Sequence, residues 1–117
     1  MSLGEMKRDG LIAGDFPTEA VPIVFVGPIE IKRGDVLGVT EDKKYVLVNS
    51  GATDGSNKVV GIACDDVFVK ENETVVSNMF IKGEFNRRFL RFGGDDTVDA
   101  HKQRMTDISL IVRETRV

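Results

Sequence analysis

The sequence has one cysteine, one histidine, one tyrosine and no tryptophan among its 117 residues. A single cysteine, Cys64, forms no disulfide within one chain, so nothing in the sequence points to an oxidising compartment. Its position inside an apolar run favours a small buried side chain over a nucleophile. The single histidine lies in a different apolar segment, and the sequence therefore suggests no nucleophile–base pair of the kind that covalent catalysis needs.

A positive net charge and long apolar runs are also missing. The formal net charge is −3 at pH 7, which gives no basic field for a phosphate backbone and predicts no nucleic-acid partner. No apolar segment approaches the roughly 20 residues of a membrane-spanning helix, so we expect no membrane partner. The first residues resemble no signal peptide, and we set Met1–Gly4 aside from the fold argument as a cloning remnant.

What the sequence does have is the composition of a globular domain built from short strands. A chain of 117 residues is one domain by length and can bury roughly two-thirds of its unfolded surface. The 12 glycines, together with many valines and isoleucines, favour strands and turns over helices.

Segments with β-type patterns follow one another along the chain. Pro22 predicts an edge position or a strand start for the first of them. Asn49–Asn57 contains only turn formers and predicts an exposed loop. Thr74–Lys82 is apolar on both faces, so one face should pack in the core and the other should meet a second layer or another subunit. We expect the last strand to be central to the sheet. The predicted strands are Glu19–Val26, Ile29–Lys32, Val36–Thr40, Tyr45–Val48, Val59–Cys64, Thr74–Lys82 and Ile108–Arg113.

The most informative stretch runs from Gly83 to Val112. Asp96 has the position of a helix N-cap, and Asp99 three residues later completes a pair close to a capping box, so a short helix is predicted here. His101 shares the apolar face of that helix with Val98. We interpret His101 as a packed, hydrogen-bonded side chain rather than a metal ligand or a base.

Adjacent carboxylates at Asp65/Asp66 and Asp95/Asp96 are available for acid–base chemistry in principle. Both pairs lie at the ends of predicted elements, where aspartate is favoured for turning and capping, so we predict no catalytic residue and no cofactor site. The second pair and His101 lie at a helix N-terminus, whose dipole repels a cation, and no metal site is predicted either.

Arginine and phenylalanine alternate just after Gly83. Proteins that bind single-stranded nucleic acid use this combination, but the negative total charge favours a protein contact, since both residue types are enriched in interface cores. A purely intramolecular fit is the other interpretation. The candidate subunit-interface residues are Phe85, Arg87, Arg88, Phe89 and Arg91.

The N-terminal residues 1–16 are predicted to form a flexible arm in front of a single β-rich domain of residues 17–117. One interpretation is a frayed terminus without a role; the other is an arm that becomes ordered on a partner, because it is unusually apolar for a disordered tail. The candidate contact residues of the arm are Leu11, Ile12, Ala13, Asp15 and Phe16.

Five segments, in this order, carry a resemblance to a known family: Leu11–Pro17, Lys32–Gly38, Ala52–Gly55, Val59–Ala63 and the stretch from Gly83 to Val112. The chain resembles the head decoration protein D family of tailed phages over nearly its whole length. No single segment is diagnostic, but the order of the five is.

The resemblance implies a mainly β fold of the β-clip type, a small barrel with one short helix near the C-terminus. It implies a homotrimer that binds the major capsid protein at three-fold positions of the expanded head and stabilises it, with no enzymatic activity and no cofactor. The protein would be encoded by a phage or prophage, produced in the bacterial cytoplasm and located on the virion. The arm could then add a strand to an exposed capsid strand.

One alternative is left open by the same sequence. Ile31–Leu37 resembles the segment found in antifreeze-like and SAF-type β-clip modules, which bind small ligands such as sugars. An enzyme would become the better interpretation if the acidic residues and His101 converged in one pocket.

Overall fold

The computed structural model describes residues 10–13 and 17–114, which form eight strands, one α-helix and one short 3₁₀ helix. None of the helices in these residues is long and apolar enough to cross a membrane. The helices are the 3₁₀ helix Arg87–Phe89 and α1 (Val98–Asp107). The strands are β1 (Glu19–Val26), β2 (Ile29–Ile31), β3 (Val36–Val39), β4 (Tyr45–Leu47), β5 (Gly61–Ala63), β6 (Val67–Val69), β7 (Thr74–Asn86) and β8 (Leu110–Arg113).

The 13-residue strand β7 organises the larger sheet. Strand β1 pairs antiparallel with it from Val26 opposite Thr74 to Glu19 opposite Lys82. Strand β5 pairs with β7 on the other side, and β3 and β4 follow, which gives the order β1-β7-β5-β3-β4. Strand β8 pairs parallel with the C-terminal end of β7, whereas β2 and β6 form a separate two-stranded antiparallel sheet.

The central strands of the larger sheet are buried on both faces. Neighbouring residues in a strand point to opposite faces, and Phe80 and Met79 of β7 accordingly belong to two different apolar clusters. One cluster lies between the sheet and α1, and the other lies between the sheet and the β2–β6 pair. The first contains Leu11, Val36, Val48, Val59, Ile62, Cys64, Phe80, Phe85, Val98, Met105, Leu110 and Val112. The second contains Ile23, Phe25, Ile31, Leu37, Ala63, Val67, Val69 and Met79.

This architecture confirms a mainly β fold with one short α-helix near the C-terminus of the described residues. The predicted edge position of β1, the β3–β4 hairpin and the burial of Cys64 are also confirmed. The predicted barrel is wrong, because β1 and β4 are the two ends of the strand order and no ladder joins them in the described part of the chain. The fold is a small β-sandwich-like arrangement.

Three features of the strands differ from the sequence prediction: the end of β7, the presence of β6 and the position of β8 in the sheet. Strand β7 does not stop at Lys82 but continues through Gly83, whose φ of +152° is one that L side chains rarely adopt, to Asn86. Strand β6 was not predicted, since only three residues separate the polar turns on either side of it. Strand β8 pairs with β7 alone among the described strands and is therefore not central to the sheet.

Asp96 does not cap the helix as predicted. The N-cap is Thr97, without a side-chain cap hydrogen bond. The Asp96 carboxylate instead accepts hydrogen bonds from the amide (2.6 Å) and hydroxyl (2.8 Å) of Ser50 and lies 2.6 Å from His101 Nε2. The pKa of Asp96 is lowered chiefly by the hydrogen bond with His101. His101 is buried and stacks on the Phe92 ring with 5.5 Å between centroids, which confirms its packed role. The Asp96–His101 pair thus joins the Asn49–Asn57 loop to α1.

A second internal contact holds the segment that follows the 3₁₀ helix. Asp35 is 0% exposed, and its carboxylate accepts hydrogen bonds from Arg91 Nε (2.6 Å), from Arg91 Nη2 (3.3 Å) and from the Lys32 amide (2.9 Å). The pKa of Arg91 is raised, chiefly by its side-chain hydrogen bond to Asp35. Gly34, with φ +97°, lets the two segments approach, because a Cβ there would lie 2.3 Å from the Phe89 carbonyl oxygen.

Replacing Arg91 with Ala should leave the buried Asp35 carboxylate without its charged partner. We expect the free energy of unfolding to fall by about 2–4 kcal/mol. This is less than the roughly 3–5 kcal/mol lost when a fully buried pair is broken, because Arg91 is half exposed. Urea unfolding measures the change. The control is Arg88→Ala, which should cost less than about 1 kcal/mol. Equal losses in the two variants would contradict a structural role for the pair.

Replacing Asp96 with Asn should change how stability depends on pH. The pKa of Asp96 is lower in the folded protein than the ordinary 3.8, so its carboxylate stabilises the fold fully above that value and loses this contribution as pH falls through the folded pKa. We expect Asp96→Asn to be less stable at pH 7 by about 1.5–3 kcal/mol, the range for hydrogen bonds to a charged group. Below about pH 4 the difference should shrink.

Denaturant unfolding between pH 7 and pH 2.5 tests this dependence. The control is Asp95→Asn at the exposed neighbouring position. A deficit of Asp96→Asn that stays constant over the whole pH range would argue against a stabilising Asp96 carboxylate.

Candidate functional site

The described part of the N-terminal segment lies along the C-terminal half of β7. Leu11 is 1% exposed and belongs to the cluster beneath α1. The Asn86 amide donates to the Leu11 carbonyl (2.8 Å), and the Ala13 amide donates to the Glu84 carbonyl (2.9 Å). Residues 10–13 are therefore packed on the domain. The other two predicted arm residues, Asp15 and Phe16, lie outside the described residues.

Ile12 is the outward-facing residue of this segment. It forms an antiparallel bridge with Phe85, and the inter-strand hydrogen bonds come from its neighbours Leu11 and Ala13. Main-chain groups alternate in direction along an extended segment, so the N–H and C=O of Ile12 point away from β7. The Ile12 side chain is 42% exposed. The segment thus presents both an apolar side chain and a strand edge with which no other described residue pairs.

Strand β1 presents a second edge, with which none of the described strands pairs. The Gly27 amide donates to the Glu73 carbonyl at the end of the β1–β7 ladder, and Val24 pairs with Val76 three residues further into it. In an antiparallel pair, residues that bond to the neighbouring strand alternate with residues whose main-chain groups point away from it. Gly27 bonds to Glu73 at the end of this ladder, so the residues that point to the open side are Val24, Pro22 and Ala20. Pro22 has no N–H, which is compatible with an edge strand.

Strands β1 and β7 also share an uncharged outer face, which we call the valine face. Val24 and Val76 stand directly opposite each other and are 45% and 70% exposed. The other outward-facing residues on this face, from Ala20 to Val24 on β1 and from Thr74 to Asn78 on β7, carry no charge. Charged side chains, prolines and bulges commonly protect the edge strands of monomeric proteins. Strand β1 has Pro22 and a register shift between Glu19 and Ala20, whereas the valine face beside this edge carries no charge.

The predicted interface cluster divides into internal and external residues. Phe85 is 0% exposed and lies in the core, where a second subunit could not reach it. Arg91 pairs with Asp35, and Arg87 pairs with Glu114 (2.9 Å) and Asp99 (3.5 Å). The pKa of Arg87 is raised, chiefly by its side-chain hydrogen bond to Glu114.

The two remaining members are exposed together. The Arg88 guanidinium lies 5.6 Å from the centre of the Phe89 ring, and Phe89 is 37% exposed. No ion pair to Arg88 is found among residues 10–13 and 17–114. These two residues therefore remain the accessible part of the predicted contact.

An open groove of about 640 Å³ lies beside the 3₁₀ helix, and we call it the 3₁₀ groove. Leu90, Phe92 and Val98 give it an apolar lining. Its charged residues are largely engaged within the subunit, as described for Arg87 and Asp96. The full lining is Arg87, Arg88, Leu90, Phe92, Asp96, Thr97, Val98 and Glu114.

The acidic residues do not form a catalytic or metal-binding cluster in the described residues. No group of three or more His, Cys, Asp or Glu side chains is placed there to hold a metal ion. Asp66 accepts a hydrogen bond from the Arg33 amide (2.8 Å), whereas Asp96 contacts His101 in another part of the fold. The turn of Ile31–Leu37, which resembles a ligand-binding segment, has its Asp35 carboxylate occupied by Arg91.

The chain was compared with curated protein sequences and with models of protein families. No curated protein sequence matches it significantly. A family model described as bacteriophage lambda head decoration protein D matches residues 17–109, from just before β1 to the turn after α1. The match covers well over half of the chain and supports a structural protein on the phage capsid. The chain belongs to the bacteriophage lambda head decoration protein D family.

Proposed function

We propose that this protein binds as a homotrimer to the expanded head of a tailed phage or prophage and stabilises the head by bridging major capsid proteins. The family match over residues 17–109 carries the proposal, because it identifies a head decoration protein. The proposed role needs no catalytic step and no cofactor. We also propose that the protein is made in the bacterial cytoplasm before it joins the capsid.

The N-terminal segment is the proposed capsid contact. Leu11 anchors it in the core, while Ile12 offers an outward side chain and an N–H and C=O that point away from β7 and have no partner among the described residues. A capsid strand could add to this edge by β-augmentation without detaching Leu11. Phe89 lies close by, since its ring atom Cε2 would be 2.9 Å from a Cβ built on Gly10. The predicted arm residues Asp15 and Phe16 remain part of this proposal.

Weak individual contacts would be sufficient in a trimer. Once one arm of a trimer is bound, the other two meet their sites at a high effective concentration, which can raise avidity on the order of 10²–10⁴. Stabilisation of the head then follows from bridging, because one trimer contacts several capsid subunits at once.

Replacing Ile12 with Pro tests the strand edge. Proline removes the outward N–H but leaves the Leu11 carbonyl and the Ala13 amide free to bond with β7. We expect binding to undecorated expanded heads to weaken at least tenfold, measured by co-sedimentation, while the unfolding transition stays within a few degrees of the parent.

The matched control is Ile12→Val, which keeps the N–H and an apolar side chain and should bind like the parent. Unchanged binding by a folded Ile12→Pro variant would refute the proposed edge. Deleting residues up to Phe16 is the less specific experiment, since it also removes Leu11 from the core.

The valine face and the 3₁₀ groove are the proposed halves of the subunit contact. A cyclic trimer repeats one heterologous contact, so each subunit needs two different patches that fit each other. Val24 and Val76 form an uncharged ridge. The groove offers an apolar lining with Arg88 and Phe89 beside it, and both residue types are enriched in interface cores.

Electrostatics favour this pairing of patches. Burying an unpaired charge is costly, and the valine face has none to bury. In the groove, Arg87 already pairs with Glu114 and Asp99. A neighbouring subunit would thus cover few unpaired charges on either side.

Replacing Val76 with Asp should place a charge in the proposed contact. We expect sedimentation equilibrium to show a trimeric mass for the parent and a monomeric mass for Val76→Asp. The control is Phe68→Asp, because Phe68 is similarly exposed (68%) but lies on β6 in the other layer. A trimeric Val76→Asp variant would contradict the proposed contact, and a parent that is monomeric at every concentration would contradict the trimer.

A further inference from the structure

Arg88 differs from the other arginines of the described residues, because no hydrogen-bond acceptor for it is found there. It is exposed, and neither a hydrogen bond nor an ion pair to its guanidinium occurs within residues 10–13 and 17–114. A guanidinium has five N–H donors and always carries a positive charge, so this group is available to an acceptor on another molecule. The arginines that donate to a carboxylate or a main-chain carbonyl are Arg33, Arg87, Arg91, Arg104 and Arg113.

The Arg88 guanidinium has a defined position on the surface. It lies 5.6 Å from the centre of the Phe89 ring, and such stacking is attractive while it leaves the N–H groups at the edge of the guanidinium able to donate. Phe89 belongs to the 3₁₀ helix, where the Leu90 amide donates to the Arg87 carbonyl (3.2 Å). The cation is therefore held on a short helix and not on an irregular loop.

Phe89 places this cation beside the N-terminal segment. Its ring lies against Gly10, where a Cβ would be 2.9 Å from Phe89 Cε2, and the Asn86 side chain donates to the Gly10 carbonyl. Ile12 follows two residues later, roughly 7 Å away along an extended chain. Ile12, Phe89 and Arg88 thus form one continuous surface, which combines a strand edge, two exposed apolar side chains and a cation.

We propose that the capsid segment which adds to the Ile12 edge is acidic, and that Arg88 binds one of its carboxylates. This inference rests on the proposed capsid contact and names the chemistry of the partner. Residues of an added strand rise about 3.3 Å each, so a carboxylate about two or three residues from the one opposite Ile12 would come within reach of Arg88. A guanidinium can bind a carboxylate through two parallel hydrogen bonds, which adds geometric selectivity.

The neighbouring charges favour a carboxylate over the phosphates of a nucleic acid. A phosphate backbone is bound by several cations that neutralise successive phosphates. Arg87, however, already pairs with Glu114 (2.9 Å). Arg113 already pairs with Glu84 (3.2 Å). The single available guanidinium of Arg88 beside a strand edge matches one carboxylate on an extended peptide.

NMR titration of the free protein with a designed peptide tests this chemistry without the head. The peptide alternates valine with glutamate, so that a carboxylate reaches Arg88 in more than one register, and its twin has glutamine in place of glutamate. We expect the glutamate peptide to shift the amide signals of Ile12 and Phe89 saturably and to bind about fivefold more tightly than the twin, the upper end for an exposed ion pair. Arg88→Gln should abolish this preference. The matched control is Lys102→Gln, an exposed lysine on α1, which should keep it.

Binding to undecorated expanded heads tests the same residue in the assembly. Arg88→Gln should bind at least fivefold more weakly than the parent and with a smaller dependence on salt, because attraction between exposed charges is screened by ions. Arg88 also lines the 3₁₀ groove, so sedimentation equilibrium is measured on the same variant. Weaker binding by a variant with the mass of the parent would support the inference, whereas loss of the trimer would assign Arg88 to the subunit contact and overturn it.

Three further results would overturn the acidic partner: equal binding of the two peptides, tighter binding of a short oligothymidylate than of the glutamate peptide, or head binding whose salt dependence Arg88→Gln leaves unchanged. The Ile12→Pro variant separates this inference from the proposed function. If Ile12→Pro weakens head binding and Arg88→Gln does not, the strand edge stands and the acidic partner is wrong. If the parent does not bind heads, the proposed function fails, and the peptide titration still decides whether Arg88 selects a carboxylate.

Discussion

The fold depends on a geometric constraint set by β7, the longest of the described strands. This strand sends Phe80 and Phe85 into one apolar cluster and Met79 into the other, and it pairs along both of its edges as well. Its N-terminal half lies between β1 and β5, and its C-terminal half lies between the Leu11–Ala13 segment and β8. A two-layer structure without α1 or without the β2–β6 pair would leave one face of β7 in water, and the layers on both sides follow from that requirement.

The strands were predictable because their signal is local, whereas the exceptions depend on distant partners. Apolar alternation and turn residues identified β1, β3 and β4, and Pro22 identified the edge. The role of Asp96 was not predictable, since Ser50 lies 46 residues away in sequence and competes with the helix N-terminus for the same carboxylate. The extension of β7 through Gly83 was missed for a related reason: a glycine indicates a turn unless a second strand, here β8, continues the ladder.

The candidate site shows the same division between local and distant information. The sequence shows arginine and phenylalanine together after Gly83, but it could not separate core from surface. Phe85 faces the core, and Arg91 is held by Asp35 from a turn 56 residues earlier, so Arg88 and Phe89 are left outside. The sequence predicted only the β7 half of the valine face, as the second apolar face of Thr74–Lys82 that should meet a second layer or another subunit, and the β1 half was not predicted. Its signal is the absence of charge at alternate positions of β1, which becomes visible only when Val24 and Val76 are known to be opposite each other.

The Asp35–Arg91 pair shows how this chain uses the turn around Gly34, whose sequence resembles segments of two kinds of protein. The overlapping segments Lys32–Gly38 and Ile31–Leu37 resemble the decoration family and small-ligand modules respectively, and both contain the Gly34 turn followed by Asp35 and a strand. In this chain the carboxylate points into the subunit and binds Arg91, so the motif holds the 3₁₀ groove in place instead of offering a polar group to a ligand. A structural protein of the phage capsid gains from that use, since the pair fixes Arg91 between the groove residues Leu90 and Phe92.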